Sequence, residues 1–204
     1  MAKLKLTKNE QKKQKDSLKM FQRYLPTLML KKQQLQAEIR GVEIRVQELR
    51  ATKARLDMVF KKWIGVFGEK GIFTPDVLRI TKLRTREGNI AGVPIPVFEG
   101  AEFEVANYDL TTTPLWLDLV SDFMKKAMLV DLEADCLEEQ QRRLQKELRT
   151  TSQRVNLFEK IKIPEAKANI KKIAVYLGDQ QTAAVVRGKI SKRGMEAAEE
   201  PKAS

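Results

Sequence analysis

The sequence predicts a mainly α protein: a long antiparallel two-helix coiled coil with a small central β-hairpin region. Three observations predict it. Ala, Glu, Lys, Leu and Arg make up close to half of the 204 residues, as in coiled coils and long helices. Two apolar ladders of 3-4 spacing occupy the flanks. Between them, residues 65–114 hold six of the ten glycines and four of the seven prolines, so helix breakers concentrate in the centre. The expected division is an N-terminal helix over 1–67, a turn-rich β-hairpin region over 68–113, a C-terminal helix over 114–190 and a disordered tail over 191–204.

The first helix opens at Thr7-Lys8-Asn9-Glu10, where the Thr hydroxyl can accept from the Glu10 amide while the Glu carboxylate reaches back, a capping box. Its ladder runs Leu18, Phe21, Leu25, Leu28, Lys32, Leu35, Ile39, Val42, Val46, Leu49, Lys53, Leu56, Phe60, Trp63 and Phe67. At about 1.5 Å per residue this is a rod of roughly 90 Å. In the centre, residues 77–84 are rich in strand formers, Arg86-Glu87-Gly88-Asn89 supplies a turn, and residues 90–97 follow extended. Pro94 and Pro96 cannot donate to a central ladder, so that segment is an edge or an irregular arm. Phe103-Glu104-Val105 adds a short strand, giving a hairpin cap on the rod.

The second helix starts at Thr113-Pro114, with Pro114 suited to its first turn. Its ladder is Trp116, Val120, Phe123, Ala127, Val130, Ala134, Leu137, Gln141, Leu144, Leu148, Thr151, Val155 and Phe158. After Pro164 the stripe shifts phase and continues as Ile170, Ala174, Leu177 and Ala184. If the helices fold back on each other, facing positions sum to about 181. Pro26 and Pro164 then fall within about three turns of each other. Each removes a backbone donor and crowds the carbonyl four residues earlier, which predicts a shared bend. Gly41 is a weaker interruption, and Gly178-Asp179 can stop and restart the helix.

Several chemistries are excluded. There is no histidine and one cysteine, Cys136, so no His base, no Ser-His-Asp triad and no Cys-rich zinc site can form. A lone thiol suits a reducing compartment. The nearest approach to a phosphate loop ends in Gly188-Lys189, but Ala183 replaces its first glycine and Ile190 its hydroxyl. Gly65–Gly71 has neither dinucleotide spacing nor a preceding strand and reads as a flexible helix exit. The carboxylates Asp131, Glu133, Asp135, Glu138 and Glu139 read as i,i+4 partners for Lys and Arg on a solvated helix face, rather than as acid/base pairs. Cys136, beside the ladder, reads as a packed thiol. No catalytic residue, metal or cofactor is expected. No apolar run approaches the ~20 residues of a spanning helix, and the basic N-terminus has no apolar stretch behind it. The chain reads as cytoplasmic, or peripheral to something larger.

Charge is the remaining signal. Lys+Arg number 39 against 27 Asp+Glu, a net +12. Lys3, Lys5, Lys8, Lys12, Lys13 and Lys15 crowd the start, and Arg187, Lys189, Lys192 and Arg193 the end. An antiparallel hairpin brings both clusters to one tip, where they can face acidic protein or phosphate backbone. Aromatics are not interleaved with them, which counts against nucleic acid. A basic coiled-coil nucleic-acid-binding or scaffold protein is the alternative reading.

Four segments carry a resemblance to a known family. They are Leu6-Thr7-Lys8-Asn9-Glu10, Asn89-Ile90-Ala91-Gly92-Val93-Pro94-Ile95-Pro96, Gln153-Arg154-Val155-Asn156-Leu157-Phe158-Glu159 and Ile161-Lys162-Ile163-Pro164. In this order, over essentially the whole chain, they resemble the D subunits of V-type (A-type) ATPases and ATP synthases. The matching signature residues are Asn89, Gly92, Pro96, Arg154, Val155, Asn156 and Pro164. Two departures are Pro26, inside a helix the family usually keeps continuous, and Thr151-Ser152-Gln153, where the family is usually richer in arginine.

The resemblance implies a non-catalytic central rotor shaft. Its terminal end projects into a hexamer of catalytic A and regulatory B subunits, which makes Lys8, Lys12, Lys15, Arg187 and Lys189 the expected hexamer contacts. A small F subunit binds its side, and a funnel-shaped subunit couples its other end to the membrane ring. It implies a peripheral place in the cytoplasmic V1/A1 sector, with ATP synthesis or ATP-driven proton or cation transport as the activity of the whole complex. It implies no direct nucleic-acid binding and no direct membrane insertion.

Overall fold

A computed structural model describes residues 4–63, 78–105 and 116–199. Six elements follow in order: α1 (Lys8–Trp63), β1 (Leu78–Ile90), β2 (Val93–Val105), α2 (Trp116–Asn156), a π-helical turn (Leu157–Lys162) and α3 (Ile163–Glu199). The mainly α class with a central antiparallel hairpin is as expected. Phe67, the Gly65–Gly71 stretch, the Thr113-Pro114 helix start and residues 200–204 lie outside the described residues. The chain divides into two compact units, Met1–Leu30 with Ser152–Ser204, and Lys31–Thr151.

In the unit Lys31–Thr151, the seam of α1 is Leu35, Ile39, Val42, Val46 and Leu49, all buried. It packs on the α2 ladder, where Val120, Ala134 and Leu144 are buried. Phe60 stacks on Phe123 with ring centroids 5.5 Å apart. With the seam residues as positions a and d, the flanking charges sort themselves. Lys31 pairs with Glu147 at 2.7 Å and Arg45 with Glu133 at 3.3 Å, both g to g. Arg50 pairs with Glu138, e to e. Like-lettered pairing is what two antiparallel helices produce, and it selects that orientation. Every one of these pairs lies within two helical turns of the expected sum. Asp131, Glu133 and Glu138 therefore bridge to α1 instead of taking the expected i,i+4 partners, while Glu139 pairs on its own helix with Arg142 and Arg143 and Asp122 with Lys125.

The hairpin is longer than expected and its turn lies elsewhere. The thirteen-residue strands pair from Leu78↔Val105 to Ile90↔Val93, so the chain reverses at Ala91-Gly92, and Arg86–Asn89 is strand. A two-residue connection with φ of 51° at Ala91 and 81° at Gly92 is a type I′ turn, whose twist matches the strands it joins. The hairpin is also not an end cap. Val93 and Ile95 enter one cluster with Leu35, Ile39, Val42, Val46 and Leu144, so the tip packs along the helix pair as a third layer of its core.

In the unit Met1–Leu30 with Ser152–Ser204, Val155, Ala166 and Ile173 are the buried hydrophobic residues among those described. Phe21 stacks on Phe158 with centroids 5.3 Å apart. Glu10 N–H donates to Thr7 Oγ1 at 3.3 Å, half of the expected capping box. The Glu10 carboxylate turns instead to accept from Gln14 Nε2 at 2.9 Å. α1 runs unbroken through Pro26 and α3 unbroken through Gly178-Asp179. α3 also continues to Glu199, past position 190 where the ordered helix was expected to end. Beyond the π-helical turn the buried and half-buried positions are Ile163, Ala166, Asn169, Ile170, Ile173, Leu177 and Ala183. Ala174 and Ala184, expected on the stripe, are exposed.

Candidate functional site

The central signature builds and docks the hairpin tip. Asn89 Oδ1 accepts from Gly92 N–H at 2.9 Å, closing the turn from its own side chain. Gly92 takes a φ of 81° that L side chains rarely adopt. Gly88 lies under the next pair of core-facing residues, and a Cβ there would meet Val97 Cγ2 at 2.8 Å.

The prolines fall into place through register. Ile90↔Val93 closes the hairpin and is hydrogen-bonded, so Asn89↔Pro94 and Glu87↔Pro96 are non-bonded pairs. At those positions N–H and C=O point away from the partner strand, so neither proline deprives the ladder of a donor. Their outward carbonyls meet α2. Gln140 Nε2 donates to the Pro96 carbonyl at 2.5 Å, Cys136 Sγ to the same oxygen at 3.4 Å, and Arg143 Nη1 to the Pro94 carbonyl at 3.3 Å. Gln140 occupies the g position between the Lys31–Glu147 and Arg45–Glu133 pairs. A side chain that would ordinarily reach Glu38 across the seam is buried against the hairpin instead. Burial pushes the Cys136 thiol above its ordinary range, so it is a packed thiol at neutral pH. The sequence hid Gln140 at the end of a run of acids, beside the equally uncharged Gln141, with no signal that set it apart.

The second signature surrounds the π-helical turn. Val155 is in the seam, while Arg154, Asn156 and Pro164 are exposed. The 3-4 ladder advances through Thr151, Val155 and Phe158, then takes a single five-residue step to Ile163 before resuming at Ala166 and Ile170. One surplus residue is absorbed where Ile163 N–H reaches back to the Phe158 carbonyl, an i→i−5 bond. Pro164 follows at once. It has no N–H for the carbonyl of Lys160 and crowds it in a regular helix, and the widened turn gives that carbonyl room. The expected disturbance at Pro164 therefore takes the form of a local widening.

Lys8, Lys12, Lys15, Arg187 and Lys189 are all exposed, but the register does not gather them. Gln14, Ser17 and Phe21 share one cavity with Lys162, Glu165, Ala166 and Asn169, which sets Lys8 level with residues 172–173. Arg187 and Lys189 then stand about 15 residues, roughly 20 Å, further along α3. Past Leu177 α3 has outrun α1, and it bears exposed Val185, Val186 and Ile190 beside its basic residues.

Ion pairs supply the remaining electrostatics. Hydrogen bonds from Arg142 and Arg143 lower the Glu139 carboxyl from 4.5 to about 2. The bond to Glu133 raises Arg45, and the 2.6 Å contact with Asp131 raises Lys53. Among the described residues no cluster of three His, Cys, Asp or Glu is placed to hold a metal ion. No described helix is long and apolar enough to cross a membrane.

Comparison with known proteins bears on the whole chain. The family model for the D subunit of ATP synthase matches residues 10–193. The chain is 50% identical to the D subunit of the V-type ATP synthase of Borreliella burgdorferi, over 96% of each chain. It is 34% identical to that of Chlamydia muridarum, over 93% of this chain and 95% of the relative. It is 35% identical to that of Chlamydia pneumoniae, over 95% and 93%.

Proposed function

The chain belongs to the family of ATP synthase D subunits, and from that premise we propose that it is the central shaft of a V/A-type rotary ATPase. In this reading it transmits torque between an A/B hexamer that processes ATP and a membrane ring that moves ions. It is non-catalytic by itself, needs no cofactor, and sits in the peripheral, cytoplasmic sector. A small F subunit holds its side and a funnel subunit holds the end nearer the ring.

One observation supports this most: paired antiparallel helices whose orientation is set by like-lettered ion pairs and whose core is locked by a third element. A lever that transmits twist must keep its two strands from sliding. The seam and the e and g pairs resist sliding of one helix along the other, and the docked hairpin resists their separation. The far end of α3 is the part suited to enter a hexamer, because it presents apolar and basic groups on a helix that stands alone among the described residues. An asymmetric end offers a different face to each of three catalytic pockets and so biases their open and closed populations.

Native mass spectrometry of the chain with its A, B and F subunits, with ATP turnover followed alongside, tests the reading. The expected species holds three A, three B, one F and one shaft. No assembly, with tight salt-sensitive binding to random duplex DNA instead, overturns it. Neutralising Arg187 and Lys189 should reduce coupled turnover more than neutralising Lys8, Lys12 and Lys15, since only the former lie on the overhanging segment. Equal effects would return the contact to a shared tip.

A further inference from the structure

We propose that the hairpin tip is a releasable strap. It seats against the helix pair by holding Gln140 away from Glu38, and Gln140 bonds Glu38 when the tip lifts. The device stands apart from the shaft reading and is tested on the full chain by itself.

The tip occupies a gap in the polar ladder that joins the helices. On the g flank Lys31 meets Glu147 and, two heptads on, Arg45 meets Glu133. Both pairs follow one register, and midway between them that register sets Glu38 of α1 opposite Gln140 of α2. An amide donor and a carboxylate acceptor suit each other there, yet the rung is open. Gln140 is buried, with its amide on the Pro96 carbonyl at 2.5 Å. Glu38 is exposed and has no hydrogen bond or ion pair among the described residues. The hairpin turn lies beside it: Gln34, Glu38, Asn89, Ile90 and Ala91 line one groove of about 370 Å³. The tip thus stands between two groups that would otherwise bond each other.

The strap adheres only at its end. At the tip one face of the sheet carries Ile90, Val93, Ile95 and Val97, which join the helix core. Side chains alternate from there, so the pairing puts Arg84 and Lys82 on the same face, opposite Gly100 and Glu102. Arg84 and Glu102 are ion-paired at 3.4 Å, and this charged stretch has nothing to offer an apolar seam. Two register shifts, between Ile80 and Lys82 and between Arg84 and Thr85, separate root from tip. Bulges of this kind bend a strand. Gly100, at the second shift, takes a φ of 145°, a conformation open to glycine. β1 is exposed from Arg79 to Glu87, so the helices hold the arm through β2 and the turn. A short adhesive end on an arm bent near its middle can swing on and off.

The partner exchange makes that swing accessible. If Gln140 had only the Pro96 carbonyl, lifting the tip would leave its amide unpaired beside the seam, which is costly. With Glu38 opposite, one hydrogen bond replaces another. The bond to Pro96 is buried and the bond to Glu38 lies in water, so the seated form predominates. Glu38 then sets the population of the lifted form by binding Gln140 in that form alone.

Cys136 lies under the seated strand, so its labelling by a disulfide reagent reads the lifted population. E38A removes the second partner of Gln140 while leaving the thiol and β2 as they are. It should slow labelling by about threefold or more. In a Q140A background the same substitution should leave the rate unaltered, because its effect passes through Gln140. Alanine suits an exposed helix position, so E38A keeps its fold, which circular dichroism checks. Unchanged labelling in E38A overturns the proposal by making Glu38 a solvated acid. Faster labelling overturns it by making Glu38 a support of the seated tip. Equal slowing with and without Gln140 overturns it as well, since Glu38 would then act by another route.

Discussion

At the scale of single residues, Gln140 and Glu139 are neighbours with opposite duties. Gln140 is buried and holds the hairpin by the Pro96 carbonyl. Replacing it with alanine leaves that carbonyl only the weak Cys136 thiol as a donor, at a cost of about 1–3 kcal/mol. Since Cys136 is covered by the same docked strand, Q140A should speed labelling of this single thiol by a disulfide reagent about tenfold or more. Unchanged labelling would show that the strand stays seated without Gln140. Glu139 is half-buried and bound to two arginines of its own helix. Its folded pKa is lowered from 4.5 to about 2, so its stabilisation is present above pH 4.5 and is lost as pH falls toward 2. Solvent screening keeps that contribution small. E139Q should slightly flatten the fall in melting temperature between pH 4.5 and 2 and leave neutral stability almost unaltered.

At the scale of elements, the helical seams were legible because binary patterning alone demands them. Every expected ladder position from Leu18 to Phe60 and from Trp116 to Phe158 is buried or half-buried. What the pattern could not carry was backbone choice. The surplus residue after Phe158 showed in the sequence only as a phase shift beyond Pro164, and a shift does not say whether the helix stops, kinks or widens. The turn was misplaced for a related reason. Gly88-Asn89 looks like turn chemistry, yet Gly88 is glycine to clear Val97 and Asn89 serves the turn from its flank. Gln140, Cys136 and Arg143 were illegible as strand anchors because their partners are backbone carbonyls, which have no sequence identity. The widening has two causes, and they separate experimentally. P164A alone should keep the π-helical turn, since the extra residue remains. P164A combined with deletion of Lys160 should give a continuous 3-4 ladder and raise the melting temperature, because an interior proline costs about 3 kcal/mol or more. A lower melting temperature for the combination would mean that the wide turn is itself stabilising.

At the scale of the whole molecule, the two units differ in what holds them. Lys31–Thr151 has a three-element cluster built from both helices and the hairpin. The other unit has Val155, Ala166 and Ile173 buried, with the Phe21–Phe158 stack. Opening free energy follows buried apolar contact. Amide hydrogen exchange should therefore be slowest around Leu35–Val46 and Leu144, faster around Phe21 and Ile173, and fastest on α3 beyond Leu177. Equal protection throughout would mean that the chain opens as one cooperative body.

The prolines of β2 have a consequence for self-association. A strand rim recruits other strands through its free amides and carbonyls. On the outer rim of β2, positions 94 and 96 have no amide to offer, and their carbonyls are already taken by Arg143, Gln140 and Cys136. Arg79, Lys82, Arg84 and Arg86 line β1, so like charge keeps a second copy of that strand away. A hairpin of thirteen-residue strands ordinarily invites fibre growth; here positions 94 and 96 block one rim near the turn and basic side chains line the other strand, both of which oppose growth by strand addition.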